Sequence, residues 1–441
     1  MKHLVLLFDL IVSLRPKFQP MNKTKETLVT AFALFSLFFG AGNLILPPLL
    51  GFKSGDFWWL VTLGFCISAI CIPIMGIFAH ARLQGTLYDF GKKVSPKFAL
   101  VFALLIYAIA AGLPSPRTAS VTHEIAIQPY FDTPYILTSI IYFALVFVFV
   151  MNRSKILDIL GKFLTPAIIF ILLLIIGITT FSYPMDFGDT VFPNPFTAGV
   201  LEGYQTFDAI GAVVVGGVII VSINLKNKGD SFKEKRSLVR RAGWIAGFAL
   251  LLIYAGLIFT GALMHQEFDA DVSRTAILNG ISLKTLGNKA NLFLGILVSL
   301  ACFTTAVGIV TGTADFIKSR FGDSQMAYTI TAIIGCVLGV GMGQFNVDYI
   351  IDVALPTLMF IYPITIILIV LNVLPEKYTS PMVFKTVVIT TFLFSIPDFM
   401  GSIGLGDTIS AVKDLIPLSD YSMGWVIPAF AVFIGVNGIK K

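Results

Sequence analysis

One short stretch of the sequence places small residues and an amide inside an apolar segment that is long enough to span a bilayer. It consists of Gly40, Ala41, Gly42 and Asn43, with apolar residues on both sides. Glycine weakens a helix, and backbone groups that leave a helix at membrane depth find no water to bond. Such groups are tolerated where they line a cavity or hold a ligand. The stretch therefore predicts a binding site for a small polar ligand, and the alternative is close helix packing through small residues.

A second stretch further along the chain has the same character. The segment 197–223 is apolar overall, but a dense polar cluster interrupts it, formed around Phe207 by Glu202, Tyr204, Gln205, Thr206 and Asp208. Polar side chains in such number are costly against lipid, so the cluster must face protein, water or a ligand. We interpret it as a second helix break in a binding site. The alternative is an extracellular re-entrant loop that leads into a short span.

A third group consists of adjacent hydroxyls within an apolar helix, Thr304 and Thr305. Ala301 lies one turn before Thr305, so its carbonyl is near the same face of the helix. Two hydroxyls and a few carbonyls form an oxygen site that suits a dehydrated monovalent cation. Spacing alone favours the simpler interpretation, in which both hydroxyls bond back to their own helix.

The composition is that of an integral membrane protein. The chain has 441 residues, of which 56% are hydrophobic and only 13% charged, and apolar runs of bilayer-spanning length recur throughout. The predicted fold class is therefore an all-α polytopic membrane protein. The net charge of +6 fits basic cytoplasmic loops and does not indicate nucleic-acid binding. The sequence has neither an HExxH motif nor a P-loop, so we expect neither enzyme activity nor direct use of ATP.

Hydropathy divides the chain into twelve predicted transmembrane helices. Residues 1–20 are interpreted as an N-terminal extension and residues 21–438 as a single transmembrane domain in the lipid bilayer. The predicted spans are 27–50, 57–79, 98–126, 134–151, 157–180, 197–223, 241–264, 291–317, 326–345, 348–372, 383–403 and 422–438.

The distribution of basic residues predicts the orientation of these spans. With a cytoplasmic N-terminus, 25 of the 31 Lys and Arg residues fall in cytoplasmic segments, and the others are Lys53, Arg117, Arg274, Lys284, Lys289 and Lys413. This asymmetry follows the positive-inside rule and supports an even number of spans, because the loss of one span would invert every later loop. We therefore predict a protein of the cytoplasmic (inner) membrane with both termini in the cytoplasm.

The two interrupted segments lie in the first and sixth predicted spans. Matching interrupted segments in the two halves of a chain are typical of secondary transporters that are built from repeats. Because the two segments are an odd number of spans apart, the second repeat enters the membrane from the opposite face, so the repeats are inverted. We predict repeat one at about 27–180, repeat two at about 197–372, and two further helices at about 383–438.

Four motifs make the chain similar to the branched-chain amino acid:cation symporter family. The resemblance extends from about Thr24 to the C-terminus, and the motifs are Phe39-Gly-Ala-Gly-Asn-Leu-Ile-Leu-Pro-Pro48, Pro116-Arg117-Thr118, Glu202-Gly-Tyr-Gln-Thr-Phe-Asp-Ala209 and Thr304-Thr-Ala-Val-Gly-Ile-Val-Thr-Gly312. That family resembles the LeuT-type transporters, which implies a 5+5 inverted repeat with discontinuous helices 1 and 6. The resemblance also implies a symporter that imports leucine, isoleucine and valine with sodium by alternating access.

The resemblance further implies two groups of site residues. Sodium would lie between the first and eighth spans, held by Ser36, Phe39, Ala301, Thr304 and Thr305 as hard oxygen ligands. The substrate would lie beside it, between Gly40, Ala41, Gly42 and Asn43 on one break and Tyr204, Gln205, Thr206 and Phe207 on the other. Its carboxylate would meet amides of the first break at a helix start, and its ammonium would meet carbonyls of the second. Its apolar side chain would rest against Phe35, Phe38, Phe207 or their neighbours.

Several alternatives stay open at this stage. Protonation of Glu202 or Asp208 would favour coupling to H+, although such carboxylates often only bond a neighbouring helix end. The substrate could be another small apolar amino acid, and from a different class the protein could be a channel or a membrane-embedded enzyme. Arg117 is interpreted as a tether of the third span, a guard of the outer vestibule or an interfacial anchor. The sequence leaves the oligomeric state open.

Overall fold

The computed structural model of the chain describes residues 23–152, 156–226 and 231–438. All regular elements in these ranges are helices, which confirms the predicted all-α class. Nine helices of the described ranges are long and apolar enough to cross a membrane, and a shorter apolar helix, Val426–Gly438, follows them. The count of twelve spans and the division into domain and repeats stay predictions, and the predicted extension 1–20 lies outside the described residues.

The helices are numbered here in chain order, and the isolated turns between them carry no number. They are α1 (Lys23–Phe38), α2 (Ala41–Ser54), α3 (Trp58–Cys66), α4 (Ile72–Leu83), α5 (Leu87–Gly91), α6 (Pro96–Gly112), α7 (Pro114–Thr122), α8 (Tyr135–Asn152), α9 (Ile156–Ser182), α10 (Pro195–Tyr204), α11 (Asp208–Lys226), α12 (Phe232–Leu263), α13 (Arg274–Arg320), α14 (Gln325–Gly343), α15 (Val347–Val373), α16 (Pro381–Ser402), α17 (Ser410–Lys413) and α18 (Val426–Gly438). The first predicted span is divided into α1 and α2, and the sixth into α10 and α11, so the predicted discontinuities are confirmed.

Two helices begin well before the predicted spans. α12 begins at Phe232 instead of 241, and α13 begins at Arg274 instead of 291. Hydropathy detects only the apolar part of a helix, whereas the first turns of α12 are basic and the first turns of α13 are mixed in polarity. α13 is also kinked at Gly287, whose φ of 76° and ψ of 177° are accessible to glycine alone. The kink separates these early turns from the apolar part of the helix.

The two halves of each discontinuous helix pack against neighbouring helices. α1 and α2 lie against α12, whereas α10 lies against α3 and α11 lies against α4. Glycine permits the closest crossings: a β-carbon on Gly51 would stand 1.8 Å from the carbonyl oxygen of Ile258, and one on Gly64 would stand 2.0 Å from that of Phe196. Because no side chain fits at these crossings, the backbones of the broken helices are fixed directly against their partners.

A second group of helices faces the two breaks from the other side. α13 packs against α7, α8 and α14. α14 lies so close to α8 that a β-carbon on Gly339 would stand 2.4 Å from the ring of Phe143. This packing brings Arg117 of α7, together with Thr304 and Thr305 of α13, to the wall of a cavity between the breaks.

Candidate functional site

The first break consists of two residues, Phe39 and Gly40. α1 ends at Phe38, the backbone at Gly40 is extended with φ −104° and ψ −169°, and α2 begins at Ala41. The amide of Phe39 still bonds the carbonyl of Phe35 at 2.9 Å, but the amide of Gly40 turns to the carbonyl of Phe38 at 3.0 Å. Ala41 thus starts a new helix, whose first amides have no acceptor within that helix.

The second break lies between Tyr204 and Asp208. The amide of Gln205 bonds the carbonyl of Glu202, and that of Phe207 bonds the carbonyl of Tyr204, both at 3.0 Å. Phe207 has a φ of 62°, which is uncommon for a residue with a side chain and persists only where its surroundings hold it. The chain therefore makes a tight turn here before α11 begins at Asp208.

A cavity of about 310 Å³ lies between the two breaks, at the lower end of the range for ligand pockets. Its wall includes the end of α1, the start of α2, the second break and the facing side of α13. Of the predicted site residues, those that line the cavity are Ser36, Gly40, Ala41, Gly42, Asn43, Thr206, Phe207, Thr304 and Thr305. The roles assigned to them by resemblance stay predictions.

The other predicted site residues do not line the cavity. The ring of Tyr204 is buried against Tyr362, with centroids 4.4 Å apart, and that of Phe39 stacks on Phe35 at 4.9 Å. Gln205 and Ala301 face the protein with their carbonyls already bonded, the first by Arg117 and the second by both hydroxyls of α13. These four residues therefore support the cavity wall without lining it.

The carbonyls predicted to meet the ammonium group are largely engaged within the protein. The oxygen of Tyr204 accepts the amide of Phe207, that of Gln205 accepts Nη1 of Arg117, and that of Phe207 accepts the amide of Gly211 at 2.8 Å. The carboxylate of Asp208 lines the same part of the cavity. It is thus the nearest charged acceptor that the second break offers to a ligand.

Asn43 joins the two breaks through its side chain. Its Nδ2 donates to Oδ2 of Asp208 at 2.5 Å and to the hydroxyl of Tyr254, while its Oδ1 accepts the amide of Gly40 at 3.3 Å. Asn43, Asp208 and Tyr254 are all buried, so these bonds lie in a medium that strengthens them. Tyr254 could not be predicted as a site residue from the sequence, because a lone tyrosine in an apolar span carries no signal.

The hydroxyls of Thr304 and Thr305 bond back to their own helix, as the simpler interpretation expects. They donate to the carbonyl of Ala301 at 2.9 and 3.0 Å. They also lie close to the first break, since a β-carbon on Gly40 would stand 3.6 Å from Oγ1 of Thr305. The two threonine hydroxyls of α13 thus lie beside the first break, and Ser36 of α1 lines the same cavity.

Arg117 is buried in the wall of the cavity. It is 2% exposed, its Nη1 donates to the carbonyl of Gln205 at 2.7 Å, and its guanidinium stands 5.2 Å from the ring centre of Phe207. A β-carbon on Gly42 would stand 2.5 Å from Nη2, so the guanidinium also presses against the start of α2. This burial in the cavity wall does not favour its interpretation as an interfacial anchor.

Glu202 is paired and stands apart from the cavity wall. Arg274 contacts Glu202 at 3.1 Å and Asp348 at 2.6 Å, and both carboxylates are partly exposed. These ion pairs connect the start of α13 to α10 and to the start of α15. In the described ranges, no group of three or more His, Cys, Asp or Glu side chains is arranged to hold a metal ion.

Comparisons of the sequence with known proteins bear on its family. The family model for "Branched-chain amino acid transport protein" matches residues 23–441. The chain is 31% identical over 417 residues to the branched-chain amino acid permease BraB of Bacillus subtilis, which covers 92% of this chain and 93% of that protein. It is 30% identical over 412 residues to the branched-chain amino acid transport system 2 carrier protein of Pseudomonas aeruginosa, with 91% and 93% covered.

The fold is also that of known transporters. The inward-facing structure of Mhp1 superposes with a TM-score of 0.60 over 94% of this chain and 90% of that chain, at 12% sequence identity. An identity this low supports the fold alone, which is the LeuT-type fold expected from the resemblance. On the family match and the two relatives, the chain belongs to the branched-chain amino acid transport protein family, whose members are transport carriers and not enzymes.

Proposed function

We propose that the protein is a secondary active transporter that imports leucine, isoleucine and valine by symport with sodium. The observation that carries the proposal is a single cavity in which both helix breaks meet Thr304 and Thr305. The relatives in B. subtilis and P. aeruginosa are named for branched-chain amino acids, which supports the substrate class. Discontinuous helices around a central cavity are what alternating access by a secondary transporter requires.

The cavity offers a partner to each part of a zwitterionic apolar amino acid. The free amides and the positive dipole end at the start of α2 suit a carboxylate. The carboxylate of Asp208 suits the ammonium group better than the engaged carbonyls of the second break do. Phe38, Ile210 and Val214 supply apolar wall on which a branched side chain would rest.

Sodium would bind between α1 and α13 in this proposal. Ser36, Thr304 and Thr305 line the cavity. The last turn of α1 ends at Phe38, where the amides of Phe39 and Gly40 bond the carbonyls of Phe35 and Phe38, so the carbonyls of Ser36 and Leu37 are the ones left to a cation. A hard cation takes oxygen ligands, and this set consists of hydroxyls and carbonyls. By binding best to the state in which α1 and α13 are close, the ion would favour the conformation that accepts substrate.

Proton coupling is the second candidate, and one observation favours it. Asp208 is buried, lines the cavity and receives its 2.5 Å hydrogen bond from the neutral amide of Asn43. A protonated carboxyl would keep that bond through its other oxygen lone pairs. Glu202 is a weaker candidate because Arg274 holds it in an ion pair.

The experiment that tests the proposal is uptake of radiolabelled leucine into proteoliposomes, with sodium and proton gradients imposed separately. Sodium symport predicts accumulation driven by an inward sodium gradient alone and no accumulation when sodium is equal on both sides. Accumulation driven only by a proton gradient would show that the coupling ion is the proton and not sodium. Leucine flux without accumulation would identify a channel, and uptake of a different small apolar amino acid in place of leucine would change the substrate.

The orientation is part of the same proposal. The clustering of Lys and Arg in alternate loops supports a cytoplasmic membrane protein with both termini in the cytoplasm. A membrane-impermeant thiol reagent tests it on intact cells that carry a single introduced cysteine. A cysteine beside Lys235 should resist labelling until the cells are opened, and one beside Lys289 should react at once.

A further inference from the structure

Arg117 is a buried cation whose hydrogen-bonding capacity is mostly unused. A guanidinium carries five N–H donors and no acceptor. Within the described residues, the bond from Nη1 to the carbonyl of Gln205 is the one hydrogen bond that the Arg117 side chain makes, and its Nε is buried without a partner. Burial of a charged group is costly unless the charge is paired and its donors are bonded. The side chain therefore lacks an anion.

No carboxylate of the described chain supplies that anion. Asp208 lies in the same cavity but bonds Asn43, and no ion pair within 4 Å joins it to Arg117 in the described ranges. Glu202 is held by Arg274 at 3.1 Å. Arg117 thus shares the cavity with one carboxylate, that of Asp208, but forms no ion pair with it in the described ranges.

The guanidinium also adjoins the other positive feature of the cavity. Its Nη2 lies against Gly42, whose absent side chain leaves the space that the guanidinium fills. The amides at the start of α2 belong to Ala41 and Gly42 and point from the positive end of that helix. The face of Phe207 holds the guanidinium from a third side, with 5.2 Å between group and ring centre. The guanidinium of Arg117 and the positive end of α2 thus meet at Gly42, and together they form a composite anion site.

We propose that Arg117 binds the carboxylate of the transported amino acid, together with the backbone amides at the start of α2. This inference rests on the proposed function, which brings a zwitterion into the cavity. It adds a charged side chain to the backbone amides that recognise the carboxylate. Arg117 donates to the carboxylate through N–H groups that the protein leaves unbonded, and it keeps its bond to Gln205. The carboxylate then connects Arg117 of α7 to the start of α2, while Arg117 stays bonded to the second break. Amides and esters of the same amino acids offer the guanidinium only a neutral carbonyl oxygen and no negative charge, so they bind more weakly.

The test compares binding of leucine and leucinamide to the purified full chain in detergent with sodium, read as the rise in melting temperature and as competition with radiolabelled leucine. We expect the wild type to prefer leucine by at least about 100-fold, because a site built to bond a polar group rejects analogues that lack it. Arg117→Gln should reduce this preference to about tenfold or less, by weakening leucine binding and sparing leucinamide. Arg117→Lys keeps the charge but loses the planar fork, so it should be intermediate.

Two further variants make the test specific. Arg82→Gln is the matched control, because Arg82 also donates to backbone carbonyls, those of Val373 and Leu374, but lies outside the cavity. It should keep the wild-type preference. Gly42→Ala places a β-carbon 2.5 Å from Nη2 of Arg117 and should reproduce the selective loss of leucine binding by displacing the guanidinium.

The outcomes separate the inference from the proposed function. An Arg117→Gln protein that keeps the wild-type preference overturns the inference, and so does one that loses both ligands equally, because Arg117 would then act only by holding Gln205. If Arg117→Gln does not fold, Arg117→Lys and Gly42→Ala decide by the same criterion. If the wild type transports another amino acid instead of leucine, the proposed substrate fails, and the comparison is made with that amino acid and its amide.

Discussion

Replacing Thr305 by valine removes one oxygen from the proposed sodium site and keeps the shape of the side chain. Oγ1 of Thr305 bonds the carbonyl of Ala301 at 3.0 Å and lies near Gly40, where a β-carbon would stand 3.6 Å away. Valine has nearly the same shape as threonine but loses this hydrogen bond, while Thr304 still bonds the carbonyl of Ala301. What it removes is a ligand for a cation between α1 and α13.

The size of the effect follows from the interaction that is lost. A neutral group bonded to a charged one contributes roughly 1.5–3 kcal/mol. Since about 1.4 kcal/mol corresponds to a tenfold change in affinity, Thr305→Val should raise the sodium concentration for half-maximal leucine uptake by about tenfold to 100-fold. Thr305→Ser keeps the oxygen and should stay close to the wild type. Adding Thr304→Ala to Thr305→Ala should raise the requirement further, because a second hydroxyl is lost.

The assay is the initial rate of leucine uptake into proteoliposomes over a range of external sodium. Thr313→Val is the matched control: Thr313 is on the same helix and bonds the carbonyl of Ile309 at 2.8 Å, but it does not line the cavity. Its sodium dependence should equal that of the wild type. A Thr305→Val protein with unchanged sodium dependence would refute the proposed position of the ion.

Three further predictions concern the packing and bonding that hold the site in place. Gly51→Ala should destabilise the protein by about 1–3 kcal/mol or more, because its β-carbon meets backbone 1.8 Å away, whereas Gly177→Ala, with nothing within 4 Å, should leave the melting temperature unchanged. Tyr254→Phe should cost about 1 kcal/mol in thermal or denaturant unfolding, because Asn43 keeps its bond to the carboxylate and loses one partner; no loss would argue against that hydrogen bond. Arg274→Gln breaks two partly exposed ion pairs, so the loss should be about 1–2 kcal/mol and should shrink in high salt; a loss that is independent of salt would contradict an electrostatic role.

Much of the architecture could be predicted from the sequence, because the bilayer imposes a simple code on it. Every span must be helical and apolar over its length, so hydropathy locates the helices and glycine-rich or polar interruptions locate the breaks. Both breaks were therefore visible at Gly40 and around Gln205 without a structure. Hydropathy does not detect helical turns that precede the apolar part of a helix, which is why the early starts of α12 and α13 were not predicted.

The predicted site was defined less completely by the sequence than the helices were. Small residues and hydroxyls mark a cavity wall, and the residues at the start of α2, together with Thr304 and Thr305, do line one. Spacing along a chain does not tell whether a residue faces the ligand or the protein. Tyr204 and Gln205 fall on the second break as predicted, yet one packs behind the cavity on Tyr362 and the other is bonded through its carbonyl.

The sequence by itself determined the membrane class, the helical fold and the positions of both discontinuities, because these depend on local composition and on the absence of water in the bilayer. Only the tertiary structure decided which polar groups meet. Asn43, Asp208 and Tyr254 come from three distant helices, and Arg117 reaches both breaks from a fourth. A hydrogen bond or an unpaired charge depends on distances of a few ångströms across such helices, and helix packing sets those distances.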